Sequence, residues 1–295
     1  MARIALIVNP LASGVTPRRL AAVQEELAAA GEVLTLQTQR PGHATELAAH
    51  AGSDAIVVFS GDGGYNEVLN GADGSVPVGF VPGGGTSVLP RALGLPRDAR
   101  EAARVVAGAI REGRTRRITL GRVNGRRFGF AAGIGFDAEL VRRVDELGRA
   151  ADGRRAGDLA FVRAAVALAL EQRGRFEPEI EIERLGRAAF VLVANGDPYS
   201  YAGPVALRIS PEARFELGLD LAAPSRVGPA AVPRLVMYLL TGSPRLRRDM
   251  LHGHDLDRIE VRCDRPLPLQ LDGEDVGDVT GACFEAERNA LAVLA

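Results

Sequence analysis

Three short apolar runs near the start of the chain each feed straight into a turn of small residues, and no other feature restricts the fold as tightly. Residues 3–8 (RIALIV) lead into Asn9-Pro10-Leu11-Ala12-Ser13-Gly14, residues 55–60 (AIVVFS) into Gly61-Asp62-Gly63-Gly64, and residues 76–81 into Pro82-Gly83-Gly84-Gly85-Thr86-Ser87. Runs this continuous fit strands buried on both faces better than strands with one wet face. Helical segments separate them. Thr16-Pro17 supplies an N-cap and a first-turn proline, residues 43–51 and 65–70 form short helices, and residues 98–112 are amphipathic. With a further strand at 33–38, strand and helix alternate up to residue 115, the pattern of a parallel sheet covered on both faces.

Beyond that point the pattern changes. Asn124-Gly125 between two strand-like segments is a two-residue hairpin signal. Gly133 and Gly135 lead to Asp137 and a long arginine-rich helical stretch that ends near Gly174. Short, often alternating segments follow at 179–184, 188–194, 205–209, 217–222, 258–263 and 267–271, with a helical hairpin expected at 229–252. Alternation of this kind predicts antiparallel strands. The expected fold class is α/β followed by β.

Charge and cysteine content narrow the function. The net charge of −1 on 295 residues gives no global field for collecting nucleic acid. All 36 basic side chains are arginine, which removes the P-loop lysine, the protein-kinase strand lysine and any Schiff-base lysine. Cys263 and Cys283 make no disulfide framework, and the four histidines show no zinc spacing. His252 and His254 are expected in a solvated turn. No signal peptide or spanning segment is evident, so a soluble, cytoplasmic protein is expected.

In an open parallel sheet, ligands bind beyond the carboxyl ends of the strands. The three small-residue turns lie there, and consecutive amides at a helix start make a phosphate cradle that needs no lysine. A glycine-rich turn is also often just a tight turn; three at one sheet edge favour the cradle. Asp62 would repel a phosphate directly, so Mg²⁺, a donor hydroxyl or an arginine suits it. Asn66 and Glu67 follow one helical turn on, and Thr38 ends the second strand. In extended geometry Asp272 and Glu274 would face one side, which suits a metal or general-base work; the alternative is a hairpin turn with solvated acids. Asp137 is either a turn acid or an active-site acid.

Asn9-Pro10 with Ser13-Gly14, GDGGYNEVLNG at 61–71, PGGGTS at 82–87 followed by RALGLP, GIGFDA at 133–138 and LDGE at 271–274 resemble the diacylglycerol kinase catalytic family, which includes sphingosine and ceramide kinases. The motifs occur in the family's order along nearly the whole chain. The resemblance implies an ATP-dependent, Mg²⁺-requiring kinase of a lipid hydroxyl. It implies a Rossmann-like nucleotide domain at 1–120, an antiparallel β-sandwich lipid-substrate domain at 121–288, and a strand at 289–295 returning to the first domain. By position, Asn9, Ser13, Gly14, Thr38, Gly61, Asp62, Gly63, Gly64, Asn66, Glu67, Gly85 and Thr86 match nucleotide-contacting positions. Asp62, Asp137, Asp272 and Glu274 match the acidic network, with Asp272 or Glu274 taking the acceptor proton.

Three departures stand out. Gly64 replaces a frequent threonine, and Ser87-Val88-Leu89 follows Thr86 where Asn-Asp is common. A DG-x-L-D metal segment of bacterial relatives is reduced to FELGLD, leaving Asp220 as its one metal-ligand candidate. For the lipid, an anionic membrane surface is the expected partner, docked by Arg142, Arg143, Arg149, Arg154 and Arg155 beside the apolar run 159–170; a solvated helix face followed by a core helix explains the same residues. A homodimer is a further expectation. The competing readings are a soluble-acceptor kinase of the NAD kinase or phosphofructokinase type, a dehydrogenase, and a non-catalytic nucleotide or lipid sensor.

Overall fold

The apolar runs become the central strands of a parallel sheet. The computed structural model describes residues 1–151 and 158–295, which divide into one unit of 1–120 with 288–295 and a second of 121–287. In the first unit the chain runs β1 (Ala2–Val8), α1 (Pro17–Ala28), β2 (Gly31–Gln37), α2 (His43–Ala49), β3 (Ala55–Ser60), α3 (Asp62–Gly71), β4 (Val78–Pro82), α4 (Val88–Ala92), α5 (Ala99–Glu112) and into β5 (Arg116–Val123). The strand order is β2-β1-β3-β4, all parallel, with Ile4 opposite both Val33 and Ala55 and Ile56 opposite Val78. At the chain's end Val293 pairs in parallel with Val78 on β4. β3 and β4 are buried along their whole length, as their unbroken apolar sequence requires. α1 packs on α5, and α2 on α3.

Local chemistry sets the helix ends. Thr16 accepts from the Arg19 amide at 3.3 Å, with Pro17 at the first helical position of α1. Asp98 accepts from the amides of Arg100 and Glu101 to start α5, and Gly113, at φ 62°, ends it. One boundary differs from the sequence expectation. α3 begins at Asp62 rather than Tyr65, so the GDGG string forms the first turn of the helix instead of a loop before it. α4, a single short turn of helix after the second glycine cluster, has no signal in the sequence.

The second unit is mainly antiparallel. Asn124 and Gly125, at φ 48° and 87°, close the hairpin between the end of β5 and β6 (Arg126–Phe128). Then come β7 (Ala131–Ile134), α6 (Phe136–Ala151), α7 (Asp158–Glu171), β8 (Ile180–Ile182), β9 (Gly186–Ala188), β10 (Val191–Ala194), β11 (Ser200–Ala202), β12 (Val205–Leu207), β13 (Leu219–Pro224), α8 (Val232–Thr241), β14 (Met250–Leu256), β15 (Arg258–Leu271) and β16 (Glu274–Val293). Neighbouring strands run β14-β13-β10-β7-β15. β15 is interrupted between Arg262 and Leu267, so its first part pairs with β8 and its last part with β7. Val123, Phe128, Ile134, Ile182, Val193, Leu221, Val261, Leu269 and Phe284 are among the residues that fill the core between these parts. The helical hairpin expected at 229–252 is only α8 with short flanking turns of 3-10 helix; from Met250 the chain is already strand, because that segment pairs with β13.

The α2·α3 contact offers a test of how closely this fold is fitted. A Cβ on Gly71 would lie 2.8 Å from the Thr45 carbonyl carbon, which is backbone and cannot swing away. Gly108, inside α5, has open space around the same position. Alanine is the better helix former by about 1 kcal/mol. Gly108→Ala is therefore expected to stabilise the chain by up to about 1 kcal/mol, and Gly71→Ala to destabilise it by about 1–3 kcal/mol, both read by urea unfolding. Equal effects of the two substitutions would contradict this contact.

Candidate functional site

The strand order reverses direction between β1 and β3, and this is the switch point where a doubly wound sheet opens a crevice. The turns after β1, β3 and β4 meet there. The Gly14 amide donates to the Gly83 carbonyl at 2.8 Å, and the Gly83 amide to Ser60 at 2.7 Å. A Cβ on Gly14 would sit 2.9 Å from that Gly83 oxygen, and one on Gly84 would sit 2.8 Å from the Gly61 Cα. These glycines are thus required by backbone-on-backbone contact between turns. Gly85 is different: it is exposed and has open space where a side chain would be.

The remaining candidates of this rim fall into place around it. Asn9 closes its own turn, its Oδ1 accepting from the Leu11 amide at 3.0 Å. Ser13 is exposed and Thr86 half-buried. The Thr38 amide donates to Val8 at 2.9 Å, which sets Thr38 at the same carboxyl edge. α3 starts at Gly61 without any side-chain cap, so its first-turn amides at Asp62, Gly63 and Gly64 carry the helix's positive end with no intrahelical acceptor. Directly below Gly64 is the Ser60 hydroxyl, buried and without a hydrogen-bond partner. Tyr65 pins the turn from beneath: its hydroxyl lies 2.6 Å from the Ser60 carbonyl and 2.9 Å from that of Val81, and its ring packs edge-on against Phe80.

Both acids of the GDGGYNE string hold other helices. Asp62 Oδ1 accepts from the Val88 amide at 2.7 Å and contacts the Leu89 amide at 3.4 Å, so the carboxylate caps α4. The partners weighed for it from sequence were Mg²⁺, a hydroxyl or an arginine; backbone amides were not among them. Glu67 accepts from Gly42 and Ala44 at 2.9 and 3.0 Å with its two oxygens, capping α2 from α3. Asn66 is buried, its carbonyl and side-chain oxygen both receiving Asn70 Nδ2. Ser87, at φ 47°, accepts from the Gly84 amide at 3.1 Å and fixes the entry to α4. Ser60, Tyr65 and Ser87 were not among the site residues expected from the sequence, although Tyr65 and Ser87 lie inside the quoted motifs.

In the second unit Asp272 and Glu274 do not form a same-face pair. Asp272 and Gly273, at φ 50° and 79°, are the turn between β15 and β16, so the extended geometry assumed from their spacing does not exist. The DG hairpin is real, but its Asp is not solvated. Asp272 is 2% exposed and accepts from the amides of Gly129, Phe130 and Ala131 at 2.7, 2.9 and 3.1 Å. Glu274 stays partly exposed and pairs with Arg126 at 2.9 Å. Asp137 joins Tyr199 and Gln270: its Oδ2 accepts from the Tyr199 hydroxyl at 2.6 Å and Gln270 Nε2 at 2.7 Å. Burial pushes its carboxyl above the ordinary range, while the two donors pull it back. Gln270 was legible as a polar residue in the apolar run LPLQL; Tyr199 was not.

Two other sequence expectations meet different arrangements. Asp220 is buried and surrounded by protein donors, namely the Ser210 hydroxyl, His254 Nδ1 at 2.8 Å and the Asp255 amide at 3.2 Å. His254 therefore belongs to strand β14 and to Asp220, not to a solvated turn. Among the described residues no three His, Cys, Asp or Glu side chains cluster as a metal cage. The expected basic patch is also reduced. Arg142 is held by Asp275 and Asp278, at 3.0 and 2.6 Å, and Arg143 by Glu139 and Glu171, both at 2.8 Å. Arg154 and Arg155, with the Arg149 side chain, lie outside what is described.

Known proteins share sequence and fold with this chain. Residues 3–123 match the model of the diacylglycerol kinase catalytic domain. Over 310 aligned residues the chain is 27% identical to a diacylglycerol kinase of Bacillus subtilis (strain 168), covering 100% of this chain and 97% of that one. Its fold is similar to that of a diacylglycerol kinase from Bacillus anthracis str. Sterne, at 21% identity and a TM-score of 0.72, over 99% and 96% of the two chains. A more distant fold likeness, at 14% identity and a TM-score of 0.54 over 99% and 93%, is to an NAD kinase from Archaeoglobus fulgidus in complex with ATP.

The raised Asp137 carboxyl gives a signed pH dependence. A carboxyl bound more tightly to its proton in the folded chain costs stability once pH passes the unfolded value near 3.8, and the cost is complete above the folded value. Asp137→Asn keeps an acceptor for Tyr199 and Gln270 and removes the charge. It is expected to exceed the wild type in stability at pH 7, with the gap closing as pH falls towards 3.8, followed by urea unfolding across pH. A gap independent of pH would contradict the assignment.

Proposed function

We propose that this chain, whose residues 3–123 match the model of the diacylglycerol kinase catalytic domain, transfers the γ-phosphate of MgATP to the hydroxyl of a lipid alcohol, diacylglycerol or a related one. The observation that carries the reading is the start of α3: an uncapped, glycine-rich helix N-terminus at the carboxyl end of β3, with the unpartnered, buried Ser60 hydroxyl beneath it. Amides and a helix dipole bind phosphate without an ammonium group, as a chain without lysine requires.

Mg²⁺ enters as part of the nucleotide. Such an ion takes most of its ligands from phosphates and water and needs only one or two protein carboxylates, which Asp62 fits and a dedicated cage is not required for. Asp62 also keeps α4 and the 82–87 turn in place through Val88, so it orders the cradle as well as its charge. Phosphoryl transfer passes through a loose transition state and depends on alignment and charge stabilisation. Of the two acids at 272 and 274, Glu274 is the better candidate to orient the acceptor hydroxyl and take its proton late. It is partly exposed with one arginine partner, whereas Asp272 is buried and already accepts three amides. Asp272 then acts as a positioning residue for the segment 129–131.

The test is γ-labelled ATP with a total lipid extract, followed by identification of the labelled product. Label in a phospholipid of a lipid alcohol is expected; label passing only to NAD or another soluble acceptor would overturn the lipid reading, and ATP binding without transfer would favour a sensor. Glu274→Gln is expected to lower kcat at least a hundredfold, on the scale of a lost general base, with unchanged unfolding. Asp272→Ala is expected to lose stability by about 3 kcal/mol or more, as each of three buried amides loses its acceptor at about 1–3 kcal/mol. Wild-type turnover in Glu274→Gln would remove that residue from the mechanism.

A further inference from the structure

We propose that α8 and the arginines around it dock this protein on an anionic lipid bilayer. α8 is a ten-residue helix whose sequence, VPRLVMYLLT, is apolar on nearly every side. Its buried residue is Tyr238, whose hydroxyl donates to the Ile209 carbonyl, and beside it the Leu239 carbonyl accepts from the Arg208 amide at 2.7 Å. The opposite face is left to solvent. Pro233, Val236, Met237 and Leu240 are exposed, the last three at 48%, 49% and 41%. Their spacing, i, i+3, i+4 and i+7, puts them on one stripe. An apolar stripe open to water is uncommon unless something covers it.

Charge says what covers it. Residues 225–250 carry five arginines, at 226, 234, 245, 247 and 248, against the single acid Asp249, in a chain whose net charge is −1. Arg226, Arg234 and Arg248 line one groove with Leu235, Leu246 and Met250. Arg234 and Arg248 share Asp249, and exposed Arg245 has no partner among the described residues. A short helix with an open apolar stripe and a surplus of arginine beside it is the chemistry of an interfacial helix on anionic lipid. A protein partner of matching acidity would also meet the charge, but the stripe and the arginine surplus together fit a surface that is apolar inside and anionic at its edge. Arg226 and Arg247 reach acids outside the segment, Glu177 at 3.6 Å and Glu212 at 3.1 Å, so three acids answer five arginines and the surplus rests on Arg245 and on the shared Asp249. Among the described residues no helix is long and apolar enough to cross a membrane, so attachment of this kind would be peripheral. The choice of lipid as occupant is reinforced by the lipid-kinase reading, while the surface itself is independent of it.

The experiment is co-sedimentation of the full chain with vesicles of phosphatidylcholine alone and of phosphatidylcholine with phosphatidylglycerol, without nucleotide. The wild type is expected to bind the anionic vesicles, less as salt rises, and to leave pure phosphatidylcholine largely unbound. Met237→Glu with Leu240→Glu, and separately Arg245→Glu with Arg248→Glu, are expected to lower anionic-vesicle binding at least tenfold with unchanged unfolding. Val166→Glu with Leu170→Glu, two exposed positions on α7, is expected to leave binding within twofold. Wild-type binding in the α8 variants, equal loss in the α7 variant, no binding by the wild type, or conversion of a dimer to a monomer by the α8 substitutions with vesicle binding intact would each overturn the proposal. Phosphorylation of a short-chain, water-dispersed diacylglycerol is measured in parallel. Its failure with vesicle binding intact would strike the kinase reading and leave the docking surface standing.

Discussion

Direct contact between the main chains of three turns is the constraint on which the first unit's rim depends. Gly14 on Gly83 and Gly61 on Gly84 approach so closely that a methyl group on Gly14 or Gly84 would be driven into backbone. The contact brings the turns after β1, β3 and β4 to one place at the switch point of the sheet. It leaves the first turn of α3 uncapped and the 82–87 segment folded back over it. The glycines read from sequence as making room for a ligand mostly make room for one another, and they set the first turn of α3 at the rim without a side-chain cap from Gly61.

The carboxylates follow a related logic. Asp62, Glu67 and Asp272 each accept backbone amides from a separate segment, at 88–89, 42–44 and 129–131. A charged acceptor on amide donors is about twice as strong as a neutral one, so a motif rich in conspicuous acids is also a set of local clamps. Residues that look like chemistry in one dimension are partly architecture, and removing one disturbs a helix start or a turn as well as a charge. Glu274 and Asp137 differ: one is partly open with an arginine, the other is held by a tyrosine and a glutamine.

What the sequence made legible was whatever depends on local pattern. The buried strands, the Thr16-Pro17 and Asp98 helix starts, and the Asn124-Gly125 hairpin all follow from period and capping, and the structure has them. The change from parallel to antiparallel strands was readable for the same reason. What was hidden depends on partners far along the chain. Nothing around Asp220 announces His254 as its donor, and nothing near Asp137 announces Tyr199. The spacing of Asp272 and Glu274 suggested a shared face only because a strand was assumed where Asp272 takes a left-handed turn conformation. Arg142 looked like a free cation until β16 brought Asp275 and Asp278 to it.

The central claim is that a nucleotide's phosphates are gripped by main-chain N–H groups where α3 begins. Amide hydrogen exchange, followed residue by residue with and without saturating MgATP, reads those groups directly. The account predicts marked slowing at the amides of residues 62–64 and 84–87, with little change in α2 or α5. Saturated ATP binding with unchanged exchange at 62–64 would contradict it.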